Sequence, residues 1–105
     1  MTDQRLVDEL VSRAFGWRPA PDRYLKSRRG WISRSRFRPI DDVGDALRLL
    51  DALTSDYALV TLPGRAFTAH VRLAGRTGKA SGEPKGRSIC LALGLALGLI
   101  VEAQS

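Results

Sequence analysis

A segment in the C-terminal half contains the residues that come closest to a nucleotide-binding motif. Residues 75–81 read Gly-Arg-Thr-Gly-Lys-Ala-Ser. A phosphate-binding P-loop has the pattern G-x-x-x-x-G-K followed by Ser or Thr, because backbone amides and the lysine hold the phosphates while the hydroxyl binds magnesium. Here Leu73 stands at the first glycine and Ala80 at the hydroxyl residue. We therefore predict no triphosphate site. We expect a basic, glycine-rich loop over 74–86, with loose phosphate contact as the functional alternative.

Two pairs of charged residues have spacings that hydrolytic enzymes use. Glu83 and Lys85 resemble the end of a metal-dependent nuclease motif, but no suitably placed carboxylate precedes them. Asp41 and Asp42 could act as a carboxylate pair, but they precede an apolar helical pattern. Negative charge at a helix N-terminus is stabilised by the helix dipole. We therefore interpret Asp41 and Asp42 as structural, and we attribute the short Glu83–Lys85 spacing to chance.

The single histidine and the single cysteine limit the remaining chemistry. Cys90 alone excludes an internal disulfide and a multi-cysteine zinc site, and His70 alone excludes a two-histidine metal site. Cys90 lies early in an apolar run and is expected to be a small buried residue. We predict no catalytic residue, no metal and no cofactor, and hence no enzyme. An enzyme would need a cleft lined by at least two of Glu83, Lys85, His70 and the aspartates of the second predicted helix.

Positive charge is concentrated in one stretch of the chain. The protein has 17 Lys and Arg against 11 Asp and Glu, a net charge of +6. Residues 18–38 hold eight of these cations and a single carboxylate, with Tyr24, Trp31 and Phe37 among them. Cations that neutralise phosphates, beside rings that stack on bases, are typical of nucleic-acid surfaces. The candidate nucleic-acid or partner-binding residues are Arg23, Lys26, Arg28, Arg29, Arg34, Arg36, Arg38, Arg76, Lys79 and Lys85.

A second interpretation of the basic stretch stays open. Fourteen of the seventeen cations are arginine, a composition that a GC-rich genome also produces. We expect Trp17 and Trp31 to pack onto the core, so that the arginines between them face either solvent or a ligand. No helix-turn-helix pattern is visible, which favours recognition of shape or charge over base sequence.

Apolar periodicity predicts the elements that position these residues. Helices are expected over 4–15, over 41–53 and over 87–102, the last apolar around most of its circumference and therefore central. Strands are expected over 57–62 and 65–73, joined by the turn dipeptide Pro-Gly, with His70 and Arg72 on the face away from the core. Residues 17–40 show no long periodicity, and short strands are expected near 24–26 and 31–33.

These elements predict one α+β domain over residues 1–105, with a small antiparallel sheet packed against three helices as a helix–sheet–helix sandwich. The N-terminus shows no signal-peptide pattern. The longest apolar run, at 89–101, is shorter than the roughly 20 residues that a membrane span requires. We therefore expect a cytoplasmic protein that does not enter the membrane.

The order of these motifs resembles the phage ABA sandwich domain family, small phage and prophage proteins of unknown function. The resemblance rests on Gly16-Trp17 after the first helix, on Pro39 and the acidic residues that open the second, and on Ser-Ile-Cys-Leu-Ala at 88–92, which opens the last. It covers most of the chain, although Ser88 stands where alanine is common and the middle segment is unusually rich in arginine. The resemblance implies an antiparallel sheet covered by helices and a phage or prophage origin. It supplies no catalytic residues.

The resulting hypothesis is a non-enzymatic, phage-derived accessory protein that binds nucleic acid or a nucleoprotein through an arginine-rich surface. One alternative is an inhibitor that binds a protein or ribonucleoprotein of a bacterial anti-phage defence complex; its positive charge argues against mimicry of DNA. Another alternative is a self-assembling phage component, a homodimer included, that uses the Gly/Ala face of the last helix or exposed aromatics.

Overall fold

The structure is a computed structural model that describes residues 1–26 and 29–100. Its α-helices are α1 (Asp3–Phe15), α2 (Val43–Leu53) and α3 (Lys85–Ala96), and a short 3-10 helix covers Arg34–Arg36. Its strands are β1 (Arg18–Pro19), β2 (Arg23–Leu25), β3 (Trp31–Ser33), β4 (Asp56–Val60), β5 (Thr68–Leu73) and β6 (Arg76–Ser81). They form two antiparallel sheets, in the orders β1-β2-β3 and β4-β5-β6. The predicted α+β class is confirmed, with the antiparallel pairing divided between two sheets.

Local sequence signals explain where α1 and α2 begin and where α1 ends. The Thr2 hydroxyl accepts a hydrogen bond from an N–H of the first turn of α1, and the Asp42 carboxylate accepts one from the Asp45 N–H at 3.2 Å. Gly16 ends α1 at a φ of +72°, a left-handed conformation that glycine adopts without strain. The second helix therefore starts two residues later than predicted, because Asp42 is its cap.

Helix α3 lies at the centre of the fold. A side chain on Gly78 of β6 would overlap the carbonyl of Ala92, and one on Gly94 would lie 2.8 Å from Leu6 of α1. Ala92 and Gly94 are about 200° apart around a helix, so α3 has β6 on one side and α1 on the other. This arrangement confirms that the last helix is the most buried one. It runs from Lys85 to Ala96, so the helix predicted over 87–102 starts too late and is too long: residues 97–100 are not helical, and 101–102 lie outside the described residues.

The larger sheet, β4-β5-β6, has one covered face and one open face. Ala69 and Val71 on β5 and Ala80 on β6 are buried. On the opposite face, His70 of β5 pairs in register with Lys79 of β6, and both are exposed. The prediction that His70 and Arg72 point away from the core is confirmed, and α3 packs against the buried face of this sheet.

The smaller sheet, β1-β2-β3, covers an aromatic cluster at the end of α1. Tyr24 of β2 is buried, and its ring lies 6.2 Å from that of Trp17 and 6.3 Å from that of Phe37. Because side chains alternate along a strand, the neighbours of Tyr24 on β2 point to the other face. The register pairs Leu25 with Trp31, which places the Trp31 side chain on that outer face.

Two further predictions were wrong, one about residues 74–86 and one about Trp31. The basic segment 74–86 is not a loop throughout, because β6 runs through it and pairs with β5. Gly78 lies in this strand because α3 approaches too closely for any side chain. Trp31 does not pack onto the core: it is 57% exposed, whereas Trp17 is 8% exposed and does pack there.

No helix within the described residues is long and apolar enough to cross a membrane.

Candidate nucleic-acid interface

The outer face of the smaller sheet presents an exposed aromatic ring that a cation holds in place. The Arg23 guanidinium lies 4.4 Å from the centroid of the Trp31 ring. Asp22 accepts two hydrogen bonds from Arg23, at 3.0 and 2.9 Å, and these bonds fix the guanidinium plane over the indole. The hydrogen bond that Arg23 donates to Asp22 raises the pKa of Arg23 and lowers the pKa of the Asp22 carboxyl. Stacking of arginine on tryptophan orders both side chains.

A groove runs along β3, the strand at one edge of this sheet. Its volume is about 650 Å³, and it is lined by Lys26, Trp31, Ile32, Ser33, Ser35 and Arg36. The Lys26 ammonium lies 5.2 Å from the centroid of the Trp17 ring, so the aromatic cluster also supports this cation. We call Arg23, Lys26, Trp31, Ser33 and Arg36 the Trp31 surface.

The cations of the Trp31 surface differ in their partners. Arg23 is paired with Asp22. Within residues 1–26 and 29–100, neither Lys26 nor Arg36 forms an ion pair with a carboxylate. Lys26 and Arg36 are exposed and need not break an ion pair with a described carboxylate to bind a phosphate, so they are the groove's available phosphate ligands.

Arg34, which the sequence also placed on the binding surface, points into the fold instead. Its guanidinium donates to Asp8 of α1 at 2.8 Å, to the Tyr24 hydroxyl at 3.1 Å and to the Ala20 carbonyl at 2.7 Å. The side chains of Arg34 and Asp8 are 21% and 24% exposed. The hydrogen bond to Asp8 raises the pKa of Arg34. These bonds give Arg34 a structural role, and we leave it out of the Trp31 surface.

The other predicted binding residues are distributed over separate surfaces. Arg38 pairs with Asp41 at 2.8 Å, and Arg76 lies against Gly98 beyond the end of α3. Lys79 is on the open face of the larger sheet, and the Lys85 ammonium lies 5.8 Å from the centroid of the Phe67 ring. The cations therefore do not share one face.

Arg29 and Arg28 follow β2. Arg29 is exposed and has a φ of +69°, which places it in the turn that leads to β3. Arg28 lies outside the described residues. Both stay candidate binding residues.

The residues considered for catalysis lie in different places. His70 lines a shallow groove on the open face of the larger sheet, and Asp41 lines a cleft beside α1. Neither of these two cavities holds a second member of the set that an enzyme would need. In the part of the chain that the structure describes, no group of three His, Cys, Asp or Glu side chains could hold a metal ion.

Cys90 is buried in α3, as predicted from its apolar surroundings. Burial, with a smaller contribution from the Asp3 charge, raises the pKa of its thiol from 9.0 to about 12. A thiol that stays protonated at neutral pH is a poor nucleophile. We therefore assign Cys90 to the core.

Comparison with known proteins identifies the fold. No protein-family model matches the chain, and no curated protein matches it. Among solved structures, one match covers 91% of this chain with a TM-score of 0.70. The chain shares its fold with a phage protein from Bacillus cereus. The match covers 92% of that phage protein at 16% sequence identity, which establishes a common fold. Membership in the phage ABA sandwich family stays a prediction.

The exposure of Trp31 is the feature that the sequence analysis missed. The pattern Trp-Ile-Ser at 31–33 already alternates, and Ile32 was the better candidate for the inward position. Ile32 pairs with the buried Tyr24, which places Trp31 and Ser33 outward. The size and apolar character of tryptophan predict burial, but the alternation of side chains along β3 turns Ile32 inward and Trp31 outward.

Proposed function

We propose that this chain is a phage-derived, non-enzymatic accessory protein that binds nucleic acid through the Trp31 surface. The observation that carries the proposal is an exposed indole, with Arg23 stacked on it, in a groove lined by Lys26 and Arg36, two cations without a carboxylate partner among the described residues. The fold shared with a phage protein from Bacillus cereus supports a phage origin. We place the protein in the cytoplasm of a bacterial host, where such a partner is available.

The charge distribution supports a polyanionic partner. The chain is basic overall, and its most basic stretch forms the smaller sheet and the turns around it. In that stretch Asp22 is the one carboxylate, and it pairs with Arg23, so Lys26, Arg29 and Arg36 give this end of the molecule a positive potential. Such a potential attracts phosphates over about one Debye length, ~8–10 Å at physiological ionic strength.

Titration of fluorescently labelled DNA and RNA across a salt series tests this function. We expect log affinity to fall linearly with log salt concentration. Lys26→Ala and Arg36→Ala should each reduce the magnitude of the slope by about 0.7–0.9, because each removes one phosphate contact. Lys79→Ala, on the larger sheet, and Arg65→Ala, in an exposed loop, remove the same charges elsewhere and should leave the slope unchanged.

Two results would contradict this proposal. One is the absence of binding to any of these nucleic acids at about 50 mM salt, where electrostatic binding is strong. The other is binding that Lys79→Ala weakens and Arg36→Ala does not, since that would place the interface on the larger sheet.

A protein partner, such as a bacterial defence complex, is the second candidate. The open face of the larger sheet favours it, because Val60 at its margin and Leu62 just beyond β4 are exposed apolar side chains. The third candidate is self-assembly through the Gly/Ala face of the last helix or through exposed aromatics. Ala92, Gly94 and Ala96 are buried within the chain itself, so a symmetric interface would use an exposed aromatic such as Trp31.

A further inference from the structure

We propose that the Trp31 surface selects single-stranded nucleic acid and stacks one base on the Trp31 indole. This inference rests on the proposed function and names the form of nucleic acid that the same surface takes. In a duplex, each base is stacked between its neighbours and its flat face is covered. An exposed ring on a sheet can stack on a base only where the strand is unpaired.

The first step of the argument is the preorganisation of the indole. Trp31 is 57% exposed on the outer face of β3, and Arg23 lies over its ring at 4.4 Å. Arg23 is itself fixed by two hydrogen bonds to Asp22. A ring held in this way loses little conformational entropy when a base stacks on it.

The second step is the placement of the unpaired cations at the two ends of the strand. Leu25 pairs with Trp31, so Lys26 lies beside the start of β3, while Arg36 follows its end. A three-residue strand is roughly 10 Å long, which is enough for the backbone of a short single-stranded segment. Along β3, Trp31 and Ser33 come between the backbone positions of Lys26 and Arg36, and all four residues line the same groove.

The third step concerns the balance between charge and stacking. The charge of Arg23 is already compensated by Asp22. The remaining electrostatic attraction comes from a small number of cations. The phosphates of a duplex and those of a single strand would both neutralise these cations. Stacking on Trp31 is the contact that a duplex does not offer, so the preference for single strands should depend on the indole.

The test compares single-stranded DNA and RNA of about 12 nucleotides with duplexes of the same sequence, measured by fluorescence anisotropy at constant low salt. The wild-type protein should bind the single strands more tightly. Trp31→Leu keeps an apolar side chain but removes the aromatic face, and it should lower single-strand affinity by about 5- to 100-fold while leaving duplex affinity unchanged. Trp31→Phe should restore a large part of the affinity, because it restores a stacking face.

Tryptophan fluorescence gives a second measurement on the same samples. Stacking of a base should quench the emission of exposed Trp31 and should leave that of buried Trp17. In Trp31→Phe, which retains Trp17 alone, the quenching should disappear.

The outcomes separate this inference from the proposed function. Equal binding of single strands and duplexes, with no effect of Trp31→Leu, would overturn the inference and would leave nucleic-acid binding through the cations in place. Absence of binding to every one of these nucleic acids would overturn both. Since Trp31 is an exposed residue, circular dichroism of Trp31→Leu is expected to match that of the wild type, and this control excludes unfolding as the cause of lost affinity.

Discussion

Arg34 and Asp8 join the smaller sheet to the first helix through an ion pair of 2.8 Å. Arg34 directly follows β3 in the chain, and Asp8 lies in the middle of α1. The Tyr24 hydroxyl donates to the same carboxylate oxygen at 3.2 Å, and the Arg34 guanidinium also lies 4.6 Å from the centroid of the Tyr24 ring. This contact determines how the smaller sheet, and with it the Trp31 surface, is attached to the helices.

The Arg34–Asp8 contact predicts that substitution of two nearby arginines will change stability by different amounts. Arg34→Ala should lower the free energy of unfolding by about 1–3 kcal/mol, because it removes charged hydrogen bonds in a partly buried site. Arg36→Ala, two residues away and exposed, should change it by less than about 0.5 kcal/mol. Urea denaturation measures both values. Equal stability losses in the two variants would mean that the Arg34–Asp8 contact does not hold the sheet.

Gly78 predicts a site where the smallest substitution is costly. A Cβ at this position would overlap the backbone carbonyl of Ala92, and a backbone atom cannot rotate away as a side chain does. Gly78→Ala should therefore destabilise the protein by about 1–3 kcal/mol or more, since β6 or α3 must move.

Thr77→Ala is the matched control for Gly78→Ala, because Thr77 is the preceding residue on β6 and is exposed. It should be close to neutral in thermal unfolding. A Gly78→Ala protein as stable as Thr77→Ala would show that α3 does not approach β6 as closely as described.

Cys90 predicts a fall in stability at high pH. Its pKa is raised to about 12 in the folded protein, from 9.0 in the absence of burial. Below pH 9 both states keep the proton and the shift has no effect. Above pH 9 the unfolded state loses its proton first, so stability falls as pH rises toward 12, by at most about 1.4 kcal/mol per pH unit.

The measurement for Cys90 is urea denaturation between pH 8 and 11, with Cys90→Ala as the comparison. The variant should be less stable at pH 8 because of the cavity, but its stability should fall less steeply with pH. In the wild type, the thiol should react with a disulfide reagent at pH 8 in denaturing urea and should be protected in the native state. Rapid native reaction would contradict the burial of the thiol.

The helices were predictable because each carries its own signals. Periodic apolar residues, the Asp42 cap and the Gly16 stop lie close together in sequence and act locally. The burial of α3 was predictable for the same reason, since an apolar circumference requires cover on all sides.

The strand β6 and the composition of the Trp31 surface were not predictable, because tertiary contacts decide them. The glycines and polar residues at 76–81 have low strand propensity, and they form a strand because β5 offers a partner and α3 requires a glycine at 78. The binding surface depends on which arginines find carboxylates. Arg34 finds Asp8 across 26 residues of sequence, which composition cannot show, while Arg36 finds none among the described residues.

The most direct test of the central claim is a titration of isotope-labelled protein with a single-stranded oligonucleotide, followed by nuclear magnetic resonance. The two tryptophans give two separate indole signals, one from exposed Trp31 and one from buried Trp17. We predict that the chemical shifts of the Trp31 indole and of the β3 amides change most. The amide signals of β4, β5 and β6 should stay unchanged. Shifts centred on His70 and Lys79, or no shifts at all, would contradict the assignment of the binding surface to Trp31.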